Sequence, residues 1–301
     1  MNTGELQSSY RGIQMSATVQ WCPTPLTDPV LVVNSLLRSQ SYTQTLADGI
    51  VRWSHVMTAD ICGVSAPGEL PAGCNLDMLA DALAHLVGEC GFTGVNVVGN
   101  SFTADVAHRF AVRHPGVARR AVLTGATGGL CDPAAARDLA EAVNRLDLEG
   151  SAVLDDVLHR VVCLDPSRTV LRRRALLSTL TKRMKQPTAV AEMQTWVSCL
   201  RLLDAVTAAL TPALDEPPGP LLLVIVGEHD VATPPATCRA LAARTPGAVF
   251  AVIKDADHFV SITRPVEHQD LIRRFLLDEP LDALPYCVQV DPSSQPMVVG
   301  S

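Results

Sequence analysis

The chain has 301 residues, of which 48% are hydrophobic and 18% are charged, so it has the length and apolar content to bury a sizeable core. Soluble domains carry about 25% charged residues, and a composition this apolar excludes an intrinsically disordered chain. The formal net charge of −7 argues against a general nucleic-acid binder, because such proteins have an excess of basic residues.

The chain shows no signal for membrane insertion or export. Apolar runs such as Leu221 to Val226 are far shorter than the roughly 20 residues that span a bilayer. The N-terminal segment lacks the positive and apolar stretches of a secretory signal, so we expect a cytoplasmic location. The nine cysteines are scattered singly with no C-x-x-C pair, which predicts reduced thiols rather than a disulfide framework or a metal site.

Strand and helix signals alternate through the first 130 residues. In chain order, strands are predicted at 29–33, up to Asp60, at 95–98 and at 120–124, and helices at 75–91 and from Thr103 to about His114. The helix at 75–91 has leucines at helical spacing, an Asn N-cap and a C-terminal glycine. This alternation predicts an α/β fold with a mostly parallel sheet that helices cover on both faces.

The middle of the chain has a different pattern. From Asp132 to about Leu210 it is helical with no strand signal, which predicts an inserted all-helical cap. The sheet resumes at Leu221 to Val226, and a strand at 248–253 and a helix at about 266–277 follow. After Glu279 the chain is rich in proline and serine, which predicts an irregular tail. We therefore expect an α/β core at 1–130 and 217–301, interrupted by a cap at 131–216.

Three residues, each placed just after a predicted strand, suit nucleophilic catalysis. Ser101 lies in Gly-Asn-Ser-Phe-Thr between a strand and a helix, close to the G-x-S-x-G nucleophile elbow. Asp230 follows the most apolar strand, and His258 lies 28 positions further on, after one more helix and strand. A serine hydroxyl needs a nearby base, and that base needs an acid to orient it, so the three predict a catalytic triad.

From about Pro29 to about Leu277 the sequence resembles the α/β-hydrolase family. The resemblance rests on four motifs in the same order, which are Gly99-Asn100-Ser101, Asp60-x-x-Gly63-x-Ser65, Gly227-x-x-Asp230 followed by Thr233-Pro234-Pro235, and His258-Phe259. It implies an α/β-hydrolase fold, with a mostly parallel eight-stranded sheet and an inserted all-helical cap after the sixth strand. It also implies a Ser-His-Asp triad that needs no cofactor and no metal.

The oxyanion hole departs from the common pattern of the family. Many relatives have His-Gly after the first strand of the parallel sheet, and this chain has Asn34-Ser35. By the resemblance, the backbone N–H groups of Leu36 and Phe102 would hold the oxyanion, and Asn34 and Ser35 would contact the substrate. Ser35 either accepts the backbone conformation of glycine or alters the hole by adding a hydroxyl donor.

Two further glycines of the family pattern are replaced. Thr103 stands where the second elbow glycine is usual, and adds bulk where a helix and a strand pack closely. Asp257 stands before the histidine, where glycine is common, and a negative charge there would tend to raise the pKa of His258. Neither replacement excludes catalysis.

A basic run sets the predicted cap apart from the rest of this acidic chain. Between Pro166 and Ala191 there is no acid, and the bases are Arg168, Arg172, Arg173, Arg174, Lys182, Arg183 and Lys185. The run is either a solvated helix face or a docking surface for an acidic acyl carrier protein or for coenzyme A. Within the family, Asn34, the chain length and the tail look most like the acyltransferases of rhamnolipid biosynthesis, whereas the elbow looks equally like carbon–carbon bond hydrolases and simple esterases.

The residues therefore predict a bacterial serine-nucleophile enzyme that cleaves a small acyl ester or thioester through an acyl-enzyme. An acyltransferase or thioesterase would share the first half-reaction and pass the acyl group to a hydroxyl or amine. A third alternative is a binding protein that kept the fold and lost catalysis. The sequence does not distinguish acyl length, acceptor, oligomeric state or pathway.

Overall fold

A computed structural model describes residues 3–35, 40–66, 68–126, 154–186 and 221–292, and isolated positions between 138 and 202. The strands are β1 (Thr3–Tyr10), β2 (Ile13–Gln20), β3 (Val30–Val33), β4 (Val56–Ile61), β5 (Val95–Asn100), β6 (Ala118–Thr124), β7 (Leu221–Gly227), β8 (Val249–Ile253) and β9 (Cys287–Pro292). The described helices are α1 (Gln40–Ile50), α2 (Leu76–Glu89), α3 (Phe102–Arg113), α4 (Leu154–Val161), α5 (Arg173–Met184), α6 (Pro235–Ala243), α7 (Val260–Thr263) and α8 (Pro265–Leu276).

The strands form one sheet in the order β1-β2-β4-β3-β5-β6-β7-β8-β9. The pairs from β4 to β8 are parallel, and β1, β2 and β9 add antiparallel strands at the two edges. Every residue of β3 and β5 is buried, as expected of central strands covered on both faces. The predicted α/β-hydrolase fold with a mostly parallel sheet is therefore confirmed.

Helices cover both faces of the sheet and enclose two apolar clusters. One face packs against α2, α3 and α6, and the other packs against α1 and α8. The predicted N-cap of α2 is present, because the Asn75 side chain accepts a hydrogen bond of 2.9 Å from the Met78 N–H. The two clusters hold the carboxyl ends of the parallel strands in place, which is the edge where Ser101, Asp230 and His258 lie.

Among the described residues the sheet has nine strands, one more than the eight that the resemblance implies, and one of them lies in the tail that the sequence predicts to be irregular. Residues 287–292 form β9, which pairs with β8. The flanking prolines and a half-exposed strand face hide the pattern, and Val288 is 55% exposed. The Tyr286 hydroxyl, 2.6 Å from Asp270, fastens the start of this strand to α8.

The cap prediction is only partly covered by the described residues. Between β6 and β7 these residues include the helices α4 and α5. Most of 127–153 and 203–220 lies outside the described residues, so the domain boundaries at 131 and 216 stay predictions. No helix in the described part of the chain is long and apolar enough to cross a membrane. The cytoplasmic location also stays a prediction.

Candidate active site

Ser101 lies at a sharp turn between β5 and α3. Its backbone has φ of 55° and ψ of −134°, a conformation that residues other than glycine rarely adopt. Its N–H donates a hydrogen bond of 2.8 Å to the Thr124 carbonyl. Glycine is required at position 99, because a Cβ there would lie 2.2 Å from the Thr103 carbonyl oxygen. The turn therefore has the geometry of a nucleophile elbow, which holds the serine side chain at the carboxyl edge of the sheet.

Thr103 occupies the place of the second elbow glycine without disturbing the turn. Its hydroxyl oxygen accepts a hydrogen bond of 3.1 Å from the Asn100 N–H. The same oxygen lies 2.9 Å from the Asn100 carbonyl and 3.2 Å from the Val33 carbonyl. The Thr103 hydroxyl therefore connects β3 to the elbow through hydrogen bonds, which explains how this chain tolerates threonine here.

The structure brings together Ser101, His258 and Asp230. The Nε2 atom of His258 lies 3.0 Å from the Ser101 Oγ, and its Nδ1 atom lies 2.9 Å from Oδ2 of Asp230. The side chain of Asp230 is 1% exposed and that of His258 is 9% exposed. An ionised carboxylate can only accept, so Nδ1 carries the proton and Nε2 is free to accept the serine proton.

Four donors surround the Asp230 carboxylate. Oδ1 accepts from the backbone N–H groups of Ala232 at 2.9 Å and Thr233 at 2.7 Å. Oδ2 accepts from the Thr233 hydroxyl at 2.8 Å and from His258. These bonds offset the cost of burying the charge and hold Oδ2 towards the imidazole.

Gly125 is a second glycine that the site requires. Unlike Gly99, it belongs to none of the motifs found in the sequence. Its φ is +63°, and a Cβ at this position would lie 3.0 Å from Cε1 of His258 and 3.1 Å from the Thr233 hydroxyl oxygen. The only sequence signal was its place directly after β6. A side chain here would press on the imidazole and on its acid partner together.

The two predicted oxyanion donors differ in what the structure describes. Phe102 is the first residue of α3, so its N–H has no partner within the helix. Leu36 lies outside the described residues, and its predicted role stays a prediction. Asn34 and Ser35 are half-buried at the end of β3, next to β5 in the sheet. Among the described residues, the buried Oδ1 atoms of Asn34 and Asn100 have no hydrogen-bond partner.

The hydrogen bonds recorded for the Asp257 carboxylate come from backbone N–H groups. Asp257 is fully buried, Oδ1 accepts from the Phe259 N–H at 3.1 Å, and Oδ2 accepts from the Cys163 N–H at 3.4 Å. Burial raises the pKa of the Asp257 carboxyl, and the neighbouring Asp230 charge acts in the same direction. The Glu228 carboxylate, two residues before Asp230, accepts a hydrogen bond of 3.0 Å from the Asp255 N–H.

One group of side chains among the described residues has metal-ligating atoms close together. The ligand atoms of Glu228, His229 and Asp255 all lie within 4.8 Å of one another. The sequence spacing did not reveal this group. We assign no metal to it, because a cluster of partly exposed acids and one histidine is common without an ion.

The basic run forms part of α5 and the segment before it. Arg168 pairs with Asp165 and Arg183 pairs with Glu192, so these two charges are matched. Arg174 and Lys182 of α5 and Lys185, which directly follows the helix, are exposed and lie at spacings of eight and three residues on one side of it. Helix α5 contacts α7, which begins two residues after His258. Helix α5 therefore lies beside the element that follows His258, while its exposed bases are on the side opposite the buried Leu176 and Leu180.

This chain belongs to the alpha/beta hydrolase family, whose model matches residues 46–267. Solved structures with the same fold include a thermophilic esterase from Thermogutta terrifontis, with 21% identity and a TM-score of 0.70 over 92% of this chain and 99% of that chain. An enol-lactonase from Burkholderia xenovorans LB400 has 22% identity and a TM-score of 0.68 over 90% and 99%. The carboxylesterase CesB from Bacillus subtilis has 14% identity and a TM-score of 0.63 over 93% of each chain.

The search of curated proteins finds no significant match to this chain. At identities near 20%, the structural likeness shows the fold alone, and one fold hosts many reactions. The chemistry must therefore be argued from the residues of the site.

Proposed function

We propose that this chain is a serine hydrolase that cleaves a small acyl ester or thioester. The observation that carries the proposal is the continuous hydrogen-bonded line from the Ser101 Oγ through His258 to Asp230. It supplies a nucleophile, a base within reach and a buried acid that orients the base. Membership of the alpha/beta hydrolase family and the strained elbow at Ser101 add support.

The reaction begins when Nε2 of His258 takes the Ser101 proton as Oγ attacks the acyl carbonyl carbon. The tetrahedral oxyanion is held by the Phe102 N–H and, as the resemblance implies, by the Leu36 N–H. The imidazolium then protonates the leaving alkoxide or thiolate, and an acyl-serine remains. His258 next deprotonates a water, which attacks the acyl-serine, and the returning proton regenerates Ser101. Asp230 stabilises the imidazolium in both steps.

The test is active-site labelling followed by hydrolysis assays. We expect a fluorophosphonate to modify the protein once, with the mass shift on the peptide that contains Ser101. S101A should abolish both labelling and hydrolysis of p-nitrophenyl esters, whereas S178A, which alters an exposed serine of α5, should leave both unchanged. Failure of the folded protein to label would favour the alternative of a binding protein without catalysis.

An acyltransferase is the second candidate, and the cationic face of α5 favours it. A surface with Arg174, Lys182 and Lys185 suits an anionic acyl donor such as an acyl carrier protein or acyl coenzyme A. Such a donor would place its thioester at Ser101, and a hydroxyl or amine acceptor would replace water in the second step. A cap over the site would exclude water and favour transfer.

Product analysis separates the two candidates. An acyl thioester is supplied with and without hydroxyl and amine acceptors, and the products are identified by mass spectrometry. Free acid in both cases supports the hydrolase, whereas conjugated product with negligible free acid supports the transferase. The double variant K182E/K185E should raise KM for the anionic donor and leave KM for an uncharged ester unchanged.

A further inference from the structure

The loop that carries His258 is held from two sides. On the side of the sheet, the His229 N–H donates to the Ala256 carbonyl at 2.8 Å. Gly227 packs so closely that a Cβ there would lie 2.3 Å from the Asp257 carbonyl oxygen. This side of the loop is therefore fixed to the end of β7.

On the other side, the loop is bound to residues 162–171, the segment that connects α4 to α5. The Cys163 N–H donates to Oδ2 of Asp257 at 3.4 Å, and the Leu171 N–H donates to the Asp255 carbonyl at 2.9 Å. The first of these bonds is the one that depends on a side chain. Asp257 and Cys163 are 0% and 2% exposed, so water does not readily replace their hydrogen bond.

We infer that Asp257 is a positioning residue that holds the His258 loop against the α4–α5 segment. Its two carboxylate oxygens accept different hydrogen bonds. Oδ1 accepts from the Phe259 N–H within the loop, and Oδ2 accepts from the Cys163 N–H of the α4–α5 segment. The adjacent imidazole must stand within hydrogen-bond distance of both Ser101 and Asp230. A displacement of about 1 Å at such a base is enough to slow catalysis severely.

The inference rests on the proposed function, in which His258 is the base. It assigns a positioning role to Asp257, which stands where relatives commonly have glycine. Glycine would remove the acceptor that Asp257 provides for the buried Cys163 N–H. The aspartate also makes the position of the base depend on the segment between the two cap helices.

Two pairs of variants test this assignment. D257N keeps an oxygen for the Phe259 N–H and turns an N–H₂ group towards Cys163, so only the bond across to the segment is lost. D255N makes the same change of charge two residues earlier, on a half-exposed side chain, and serves as its control. C163P removes the donated proton and leaves Asp257 intact, and C163A retains that proton and serves as the control for C163P.

Two readouts are taken on each variant. The first is the rate of Ser101 labelling by a fluorophosphonate, together with kcat and KM for a p-nitrophenyl ester. The second is hydrogen exchange of the 162–171 amides by mass spectrometry. For D257N and C163P we expect labelling and kcat to fall about tenfold with KM within about twofold of wild type, and exchange to rise. D255N and C163A should match the wild type in both.

Wild-type labelling rates and wild-type exchange in both folded D257N and folded C163P would overturn the inference. If either D257N or C163P fails to fold, the labelling and exchange rates of the other variant decide whether the inference holds. A wild-type protein that does not label at Ser101 would refute the proposed hydrolase, and the exchange measurement would still decide whether Asp257 holds the segment. The two proposals therefore fail by different observations.

Discussion

The Thr233 hydroxyl lies 2.8 Å from Oδ2 of Asp230 and 3.3 Å from Nδ1 of His258. The hydroxyl proton is directed to the carboxylate, so the hydroxyl oxygen can share the Nδ1 proton of the imidazole with Asp230. Thr233 is 6% exposed, so its hydroxyl is largely shielded from solvent. The acid and the base of the candidate triad therefore have a common neighbour that orients both.

Replacing Thr233 by valine should slow catalysis without changing the shape of the site. A hydrogen bond to a charged group is worth about 1.5–3 kcal/mol, so kcat/KM of T233V should fall roughly ten- to hundredfold. T233S retains the hydroxyl and should recover most of the rate. The comparison uses steady-state hydrolysis of a p-nitrophenyl ester, and a T233V enzyme as fast as wild type would show that the hydroxyl is dispensable.

A methyl group at Gly125 should damage activity beyond its effect on stability. Both Gly125 and Gly73 have positive φ, at 63° and 75°, but a Cβ at Gly73 would meet nothing within 4 Å. G73A should therefore lose about 1–2 kcal/mol of unfolding free energy from backbone strain and keep full activity. G125A should lose as much stability and also reduce kcat, because its Cβ presses on His258. Equal activities of the two folded variants would contradict this reading.

The arrangement of the site was largely predictable because parallel strands bring their carboxyl ends to one edge of a sheet. Ser101 follows β5, Asp230 follows β7, and His258 follows β8, so a correct strand pattern is enough to expect them together. The hydrogen bond between Asp257 and Cys163 was not predictable in this way. It joins residues 94 positions apart, one of them in the helical insertion, and leaves no local pattern.

The edges of the sheet were missed for different reasons. In β2 the buried residues Ile13, Met15, Ala17 and Val19 alternate with polar ones, so the sequence of the N-terminal hairpin does contain a strand signal. Strand β9 pairs with β8 at the far edge of the sheet, and prolines near its start and at its end interrupt the sequence pattern. Pairing between distant segments decides such edge strands, and a single sequence does not record it.

The ion pairs between α2 and α3 should stabilise the protein more at neutral than at acidic pH. Arg113 and His114 bond to Asp81 at 3.0 Å and 2.8 Å, and the bond from Arg113 is the main cause that lowers the pKa of this carboxyl. A lowered folded pKa means that the contribution is present above the unfolded pKa of about 3.9 and is lost as pH falls through the folded pKa. D81N should therefore cost at most about 1 kcal/mol at pH 7 and nothing near pH 2, as measured by urea unfolding.

Asp257 should show the opposite dependence. Burial raises the pKa of its carboxyl, so the folded protein binds this proton more tightly than the unfolded chain does. Its contribution to stability is complete below the unfolded pKa of about 3.9 and is lost as pH rises through the folded pKa. The difference in unfolding free energy between wild type and D257N should therefore shrink as pH rises from 4 to 8, whereas the difference between wild type and D81N should grow as pH rises from 2 to 5. Urea unfolding of the three proteins across both ranges measures the two slopes, and a wild-type advantage over D257N that increases with pH would mean that hydrogen bonds to the charged carboxylate outweigh the effect of its burial.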